Sequence, residues 1–190
     1  MYMFFDTETG GLTPDFSLLT LSAIATDAQF NIVSVCGYDK GMYLRIKHED
    51  YVVHPRAMEV NGIKLADNTE HGFTVAEARE LLLAFVAEAK KVLGERKLVP
   101  AGHNFPFDMR FLQAYLIPDP EWHDHFTHPP LDTCLSARLL LAAKLIEGGC
   151  SLPHLRKLFG IKTGADHNAQ SDNLASIAVA KKFTELVAGK

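Results

Sequence analysis

Cysteine is scarce. Cys36, Cys134 and Cys150 are the 3 thiols of a 190-residue chain, odd in number and without Cys-x-x-Cys spacing. That excludes a disulfide scaffold and a cysteine-rich zinc motif, and it reads as reduced thiols in a reducing compartment. Long apolar runs are missing too. The longest, residues 81–87, is far below the ~20 residues a membrane helix needs, so no membrane partner is expected. The first residues carry no basic stretch ahead of an apolar segment, and an acid arrives at Asp6. A secretory signal is therefore not expected, and a cytoplasmic location is. A positive surplus is also absent: the formal net charge is −4. This argues against the broad basic groove of proteins that coat duplex nucleic acid. No internal repeat, low-complexity tract or flexible linker interrupts the chain.

What remains is an ordinary globular composition, 47% hydrophobic and 22% charged, long enough for one domain over residues 1–190 with a real core. Apolar runs at residues 1–6 and 18–26 read as strands. The alternation of apolar and charged residues at 41–47 reads as a third, more exposed strand. A loop with Pro55 and Asn61-Gly62 follows. Thr74 and Glu77 form a capping box for a helix that runs to Leu93 and stops at Gly94. Residues 98–101 read as a buried strand, 107–116 as a helix ended by Pro118, and 118–130 as a second loop. A strand around Leu131-Asp132-Thr133 precedes helices over 135–146, 152–159 and 168–187. Three strands on short connections, then strands alternating with helices, predict an α/β fold: a mixed five-stranded sheet flanked by helices.

The chemistry resides in acids. Asp6 and Glu8 lie in Phe5-Asp6-Thr7-Glu8-Thr9-Gly10-Gly11-Leu12. On a strand, residues two apart share a face, and two carboxylates so placed repel unless a cation lies between them. Hard divalent ions take such oxygen ligands and leave room for phosphate. Asp108 lies in Gly102-His103-Asn104-Phe105-Pro106-Phe107-Asp108-Met109-Arg110-Phe111-Leu112, near a helix start, where an acid also serves as a dipole partner. His167 and Asp172 lie in His167-Asn168-Ala169-Gln170-Ser171-Asp172. Five residues apart, they would not stack on one helix face. With His167 before a helix and Asp172 in its first turns, both reach one site.

These three strings, in this order and over nearly the whole chain, resemble the DEDDh (DnaQ-like) 3′→5′ exonucleases of the ribonuclease H-like superfamily. That resemblance implies the fold just described and a pair of Mg²⁺ ions, with Mn²⁺ able to substitute. It implies that Asp6, Glu8 and Asp172 hold one ion, and that Asp6 bridges to a second positioned with Asp108. It further implies that His167 is the general base for water attacking a terminal phosphodiester, with release of nucleoside 5′-monophosphates. Bound cations would supply positive charge that the chain itself lacks. Thr7, Glu8 and Thr9 occupy the positions that contact a terminal 3′-hydroxyl, and Leu12 that of a wedge against the last base. Val60, in Ala57-Met58-Glu59-Val60-Asn61-Gly62-Ile63, stands in the substrate loop, and Asn104 in a substrate-site position. Gly10 departs from the pattern, which often has a threonine there. Phe107 and Phe111, at helical spacing among apolar neighbours, read as core.

His123, His125 and His128 cluster with Asp124. Such spacing is compatible with Zn²⁺, but without cysteines or a helical histidine pair it reads as a polar surface loop. The expected partner is the 3′ end of a single-stranded nucleic acid, most simply DNA in proofreading or repair. An exoribonuclease acting on RNA 3′ ends stays open, as does a non-catalytic module bound to a polymerase. Polymerase association and a homodimer are both compatible with the sequence, which shows neither.

Overall fold

Leu18–Thr26 is buried at every position, as a strand covered on both faces must be, and the sheet is built outward from it. The computed structural model describes residues 1–164 and 168–189. The elements run β1 (Tyr2–Thr9), β2 (Leu18–Thr26), β3 (Met42–Lys47), α1 (Pro55–Asn61), α2 (Leu65–His71), β4 (Phe73–Thr74) and α3 (Val75–Leu93). There follow β5 (Val99–Gly102), α4 (Pro106–Tyr115), α5 (Asp119–His125), β6 (Leu131–Asp132), α6 (Thr133–Ala142), α7 (Leu152–Phe159) and α8 (Ala169–Ala188). The sheet order is β4-β3-β2-β1-β5-β6. The two pairings of β2, with β1 and with β3, are antiparallel. β5 lies parallel to β1, and the two short edge strands are parallel to their neighbours.

Period-two alternation along β1 sorts its side chains to two layers. Met3 and Phe5 join Leu21, Ala23 and Leu44 under α3, α4 and Trp122 of α5. Phe5 alone meets Phe105, Trp122 and Phe126 at ring-centroid distances of 6.1, 6.0 and 5.6 Å. Truncating such a ring costs about 3–5 kcal/mol. Phe4 faces the other way and packs with Ile24, Ala101, Ile177 and Ala180 beneath α8. On the outer side of α8, Val179 and Phe183 pack against Ala137 of α6 and Leu155 of α7.

The expected α/β architecture is present, with differences that have physical causes. The sheet has six strands, not five, because Phe73 and Thr74, the latter also the N-cap of α3, pair with the end of β3. The loop expected around Pro55 is helical. His54 accepts a hydrogen bond from the Arg56 amide, Pro55 occupies the first turn, and Gly62 closes the helix at φ 64°. Those are start and stop signals, but with no buried residue in α1 there is no apolar stripe to announce it. α2 follows, anchored by Asn68, whose side-chain amide donates to the carbonyls of Leu19 (2.8 Å) and Ile46 (3.1 Å). The loop expected over 118–130 contains α5, which has Trp122 as its one buried residue.

Candidate active site

The strand period puts Asp6 and Glu8 on one face of β1. Cross-strand register puts Ser22 and Thr20 of β2 beside them, and Tyr43 and Arg45 of β3 beyond. β5 accompanies β1 only as far as Phe4, so the strand edge at Thr7 lacks a ladder partner. α4 fills that gap. Asp108, in its first turn, accepts hydrogen bonds through Oδ1 from the Thr7 amide at 2.8 Å and the Thr7 hydroxyl at 2.7 Å. The Thr7 amide, expected to face a substrate, therefore serves to hold Asp108 against β1.

Asp172 lies in the first turn of α8, where Asn168 caps the helix by accepting from the Ser171 amide. The next residue sets its depth. Asn173 is fully buried, and its side-chain amide reaches the Phe4 carbonyl (3.0 Å), the Ser22 carbonyl (3.2 Å) and the Ser22 hydroxyl (3.0 Å). Since Ser22 is the register partner of Asp6, this clamp ties the start of α8 to the strand pair that carries Asp6. Arg156 of α7 donates from Nη1 to Asp172 Oδ1 at 3.3 Å and from Nη2 to the Gly164 carbonyl at 2.9 Å. His167, the expected general base, lies outside the described residues.

The acids feel one another. Burial pushes the Asp6 carboxyl well above the usual carboxylate range, and the charges of Asp108, Glu8 and Asp172 push it further. Glu8 is pushed up to about 8 by burial, then by Asp172 and Asp108. Burial raises Asp108 to about 7 against the opposing hydrogen bonds from Thr7. Three chain segments thus bring four carboxylates into one electrostatic site. Among the described residues no three acid, histidine or cysteine side chains are already gathered as a metal-holding cluster. Asp108 Oδ1 is engaged by Thr7 and Asp172 Oδ1 by Arg156. The donor set nonetheless fits a hard divalent cation. All its ligands are carboxylate oxygens, they are withdrawn from water, and Arg156 offsets only part of their charge.

A pH dependence follows. A carboxyl with a raised folded-state pKa contributes stability that is full below its unfolded pKa and is lost as pH rises through the folded value. For Glu8 and Asp108 that window runs from about 4 to about 8. Each unit of displacement is about 1.4 kcal/mol, so the metal-free protein should lose on the order of 3 kcal/mol between pH 5.5 and 8. That corresponds to a Tm lower by roughly 5–10 °C. Mg²⁺ should restore Tm at pH 8 and add little at pH 5.5. Thermal denaturation at both pH values, with Mg²⁺ and with chelator, checks this. An increment independent of pH would remove the four acids from cation binding.

Beside the acids opens a cavity of about 500 Å³ whose walls include Glu8, Thr9, Leu12, Val60, Asn61 and Phe107. Leu12 and Val60, distant in sequence, meet here with 78% and 50% of their surfaces exposed, an unusual state for apolar side chains with nothing to cover. Asn61 closes the wall by donating to the Thr9 carbonyl at 3.2 Å. Thr9 donates its hydroxyl to the Gly11 carbonyl at 2.7 Å, which leaves its oxygen able to accept. Gly10 has a structural reason: a Cβ there would lie 2.5 Å from the Val52 carbonyl oxygen.

Phe111 is core, as expected, but Phe107 is not only core. At the start of α4 it is half-buried and forms part of the cavity wall. Asn104 is exposed, with φ 58°, and is not part of that wall. Its amide donates to Asp132 Oδ1 at 3.1 Å, an atom that also caps α6 through the amides of Cys134 and Leu135. The histidines of 123–128 do not form the surface loop expected: His123 and His125 lie on α5. His123 faces Asp119 at 3.7 Å and His125 faces Lys90 at 3.1 Å. Asn61, Phe107, Asp132, Arg156 and Asn173 were given no role at the site in the sequence reading. Asp132, an acid just before a helix, is the one that left a cap signal.

No family model matches the chain. Among solved structures it is similar to E. coli exonuclease I in complex with a dT13 oligonucleotide, at 24% identity and TM-score 0.76, over 99% of this chain and 42% of that one. A structure of exonuclease I discussed for its processivity gives 26% identity and TM-score 0.74, over 100% and 41%. The zinc-bound E. coli exonuclease I–single-stranded DNA complex gives 26% and 0.71, over 95% and 39%. The chain spans about two-fifths of the length of these structures. Its fold is the exonuclease fold of ribonuclease H-like type, with six strands.

Proposed function

We propose that the chain is a metal-dependent 3′→5′ exonuclease that removes nucleoside 5′-monophosphates from single-stranded DNA. The observation that carries this reading is the adjacency of a group of four carboxylates, whose charges raise Asp6 and Glu8, to a nucleoside-sized, largely apolar cavity. A terminal nucleoside in that cavity places its 5′ phosphate at the acids. Structures similar in fold hold dT13 and dA16 oligonucleotides, which favours DNA over RNA.

Asp6, Glu8 and Asp172 would hold one Mg²⁺, with Asp6 and Asp108 beside a second. Ions bound there supply Lewis-acid stabilisation of the attacking and leaving oxygens. The chain's own groups do the rest. Thr7 fixes Asp108, and Asn173 fixes the start of α8 against β1. Leu12, Val60 and Phe107 enclose the terminal base and exclude water from it. Thr9 Oγ1, already donating to Gly11, accepts a hydrogen bond from the substrate 3′-hydroxyl. His167 takes the proton of the attacking water, as a neutral imidazole does in general-base catalysis.

The test uses 5′-labelled single strands ending in 3′-hydroxyl or 3′-phosphate, with RNA of equal length and circular single-stranded DNA. The 3′-hydroxyl DNA should be shortened stepwise. The 3′-phosphate should block degradation, since it removes the donor that Thr9 accepts and adds charge beside the acids. Each phosphate contacted contributes a salt slope of about −0.7, so the slope should be shallow. Equal cleavage of both ends, or cuts in the circle, would overturn the reading.

A further inference from the structure

A second pocket, of about 230 Å³, opens on the other side of Glu8. Glu8 and Asn61 are common to its wall and to that of the nucleoside cavity, so the two are neighbours separated by these side chains. Their linings differ in kind. Where the nucleoside cavity has Leu12, Val60 and Phe107, this one has Thr20, Tyr43, Arg45 and Lys64. Register explains the grouping: Glu8 pairs with Thr20 and Thr20 with Arg45 across three strands, all on the face that carries Asp6. Lys64 comes from the α1–α2 connection on the opposite rim.

Three features mark this as a place for an anion. Arg45, though exposed, lies over the Tyr43 ring with its guanidinium carbon 5.8 Å from the centroid, which keeps the charge at the pocket wall. Among the described residues, neither Arg45 nor Lys64 takes part in an ion pair. The Thr20 side chain is 1% exposed, and its Oγ1 lies towards the Tyr43 hydroxyl without the alignment of an ordinary hydrogen bond. A buried hydroxyl in that condition is rare in a folded protein unless something else completes it. Two acids, Glu8 and Asp67, also line the pocket; Glu8 faces the proposed cations, which leaves Asp67 against two basic groups. The volume is about half that of the nucleoside cavity, and it is the polar, basic lining that suits a phosphate.

We propose that this pocket binds the phosphodiester one linkage upstream of the scissile one, held by Arg45 and Lys64 with the Thr20 hydroxyl at its floor. The inference rests on the exonuclease reading above. It gives the strand a path: terminal nucleoside in the apolar cavity, scissile phosphate at the acids, next phosphate in the polar pocket. It also reconciles a net charge of −4 with a polyanionic substrate, because only one backbone phosphate beyond the reacting one needs protein cations.

The experiment compares a DNA dinucleotide, which has only the scissile linkage, with a trinucleotide. KM should fall on the order of tenfold from the first to the second, the size of a charge-assisted contact. The double variant Arg45→Gln, Lys64→Gln should lose that gain while hydrolysing the dinucleotide with unchanged kcat and KM. Its salt slope on the trinucleotide should also flatten by about 0.7. A neutral methylphosphonate at the second linkage should raise KM for the unmodified protein to the level of the double variant, and should change nothing further in the variant. Retention of the full trinucleotide gain by the variant, or a methylphosphonate effect of equal size in both proteins, would overturn the subsite alone. If no oligonucleotide of any length is hydrolysed by the unmodified protein, the exonuclease reading falls and the subsite with it.

Discussion

Asp6→Asn should abolish hydrolysis of single-stranded DNA, lowering the rate by at least about 10³-fold, and should leave a protein that melts at a higher temperature than its parent in chelator at pH 8. The two halves of this expectation have one cause. Asp6 sits where Asp108, Glu8 and Asp172 all raise its pKa on top of burial. A neutral amide relieves that repulsion, so the metal-free fold gains stability. The same exchange removes the carboxylate expected to face both cations, and loss of several kcal/mol of charge stabilisation corresponds to a factor of this size. Opposite signs in activity and stability separate this outcome from simple unfolding. Kinetics on a 5′-labelled strand and denaturation curves in chelator check it together. A variant with parental activity, or one less stable than the parent without metal, would remove Asp6 from the centre of the site.

The acids of this site were legible in the sequence because their spacing is local. Asp6 and Glu8 are two apart on a strand, and Asp172 follows a cap by one helical turn. The sheet was legible through β2, an apolar run bounded by acids and found as Leu18–Thr26, and α3 through its capping box and Gly94. What escaped is non-local or amphipathically silent. The bond from Thr7 to Asp108 joins residues 101 apart, and those from Asn173 to Phe4 and Ser22 span 169 and 151. No window of sequence contains either clamp. α1 and α5 were read as loops because short helices with at most one buried residue carry no periodic stripe. Phe107 was read as core because an aromatic at helical spacing usually is, and only tertiary packing places it at a cavity rim. The polar pocket behind Glu8 depends on register across three strands, which alternation alone does not set.

His167→Ala should lower turnover by roughly 10²–10⁴-fold, the range for losing a general base, with little change in binding of the 3′ end. Both flanks of the residue lead to Asp172. On one side, Gly164 is held by Arg156, which also binds Asp172. The Ser171 hydroxyl donates to the Thr163 carbonyl at 2.9 Å, joining the same approach to α8. On the other side, Asn168 caps α8 one turn before Asp172, and the Asp172 amide returns a bond to the Asn168 carbonyl at 2.9 Å. Gly164 and Asn168, the described residues nearest His167 in the chain, are thus both tied to Asp172. His167 is accordingly the histidine proposed to take the proton of the attacking water; neither β1 nor the first turn of α8 contains one. Imidazole gains and loses a proton near neutral pH, so added imidazole should restore part of the rate to the Ala variant, and His167→Gln should not recover it. Single-turnover rates on a 5′-labelled strand, with anisotropy for binding, separate the chemical step from affinity. Parental turnover in His167→Ala would require another proton acceptor, and a rate loss matched by an equal loss of binding would make His167 a substrate contact instead.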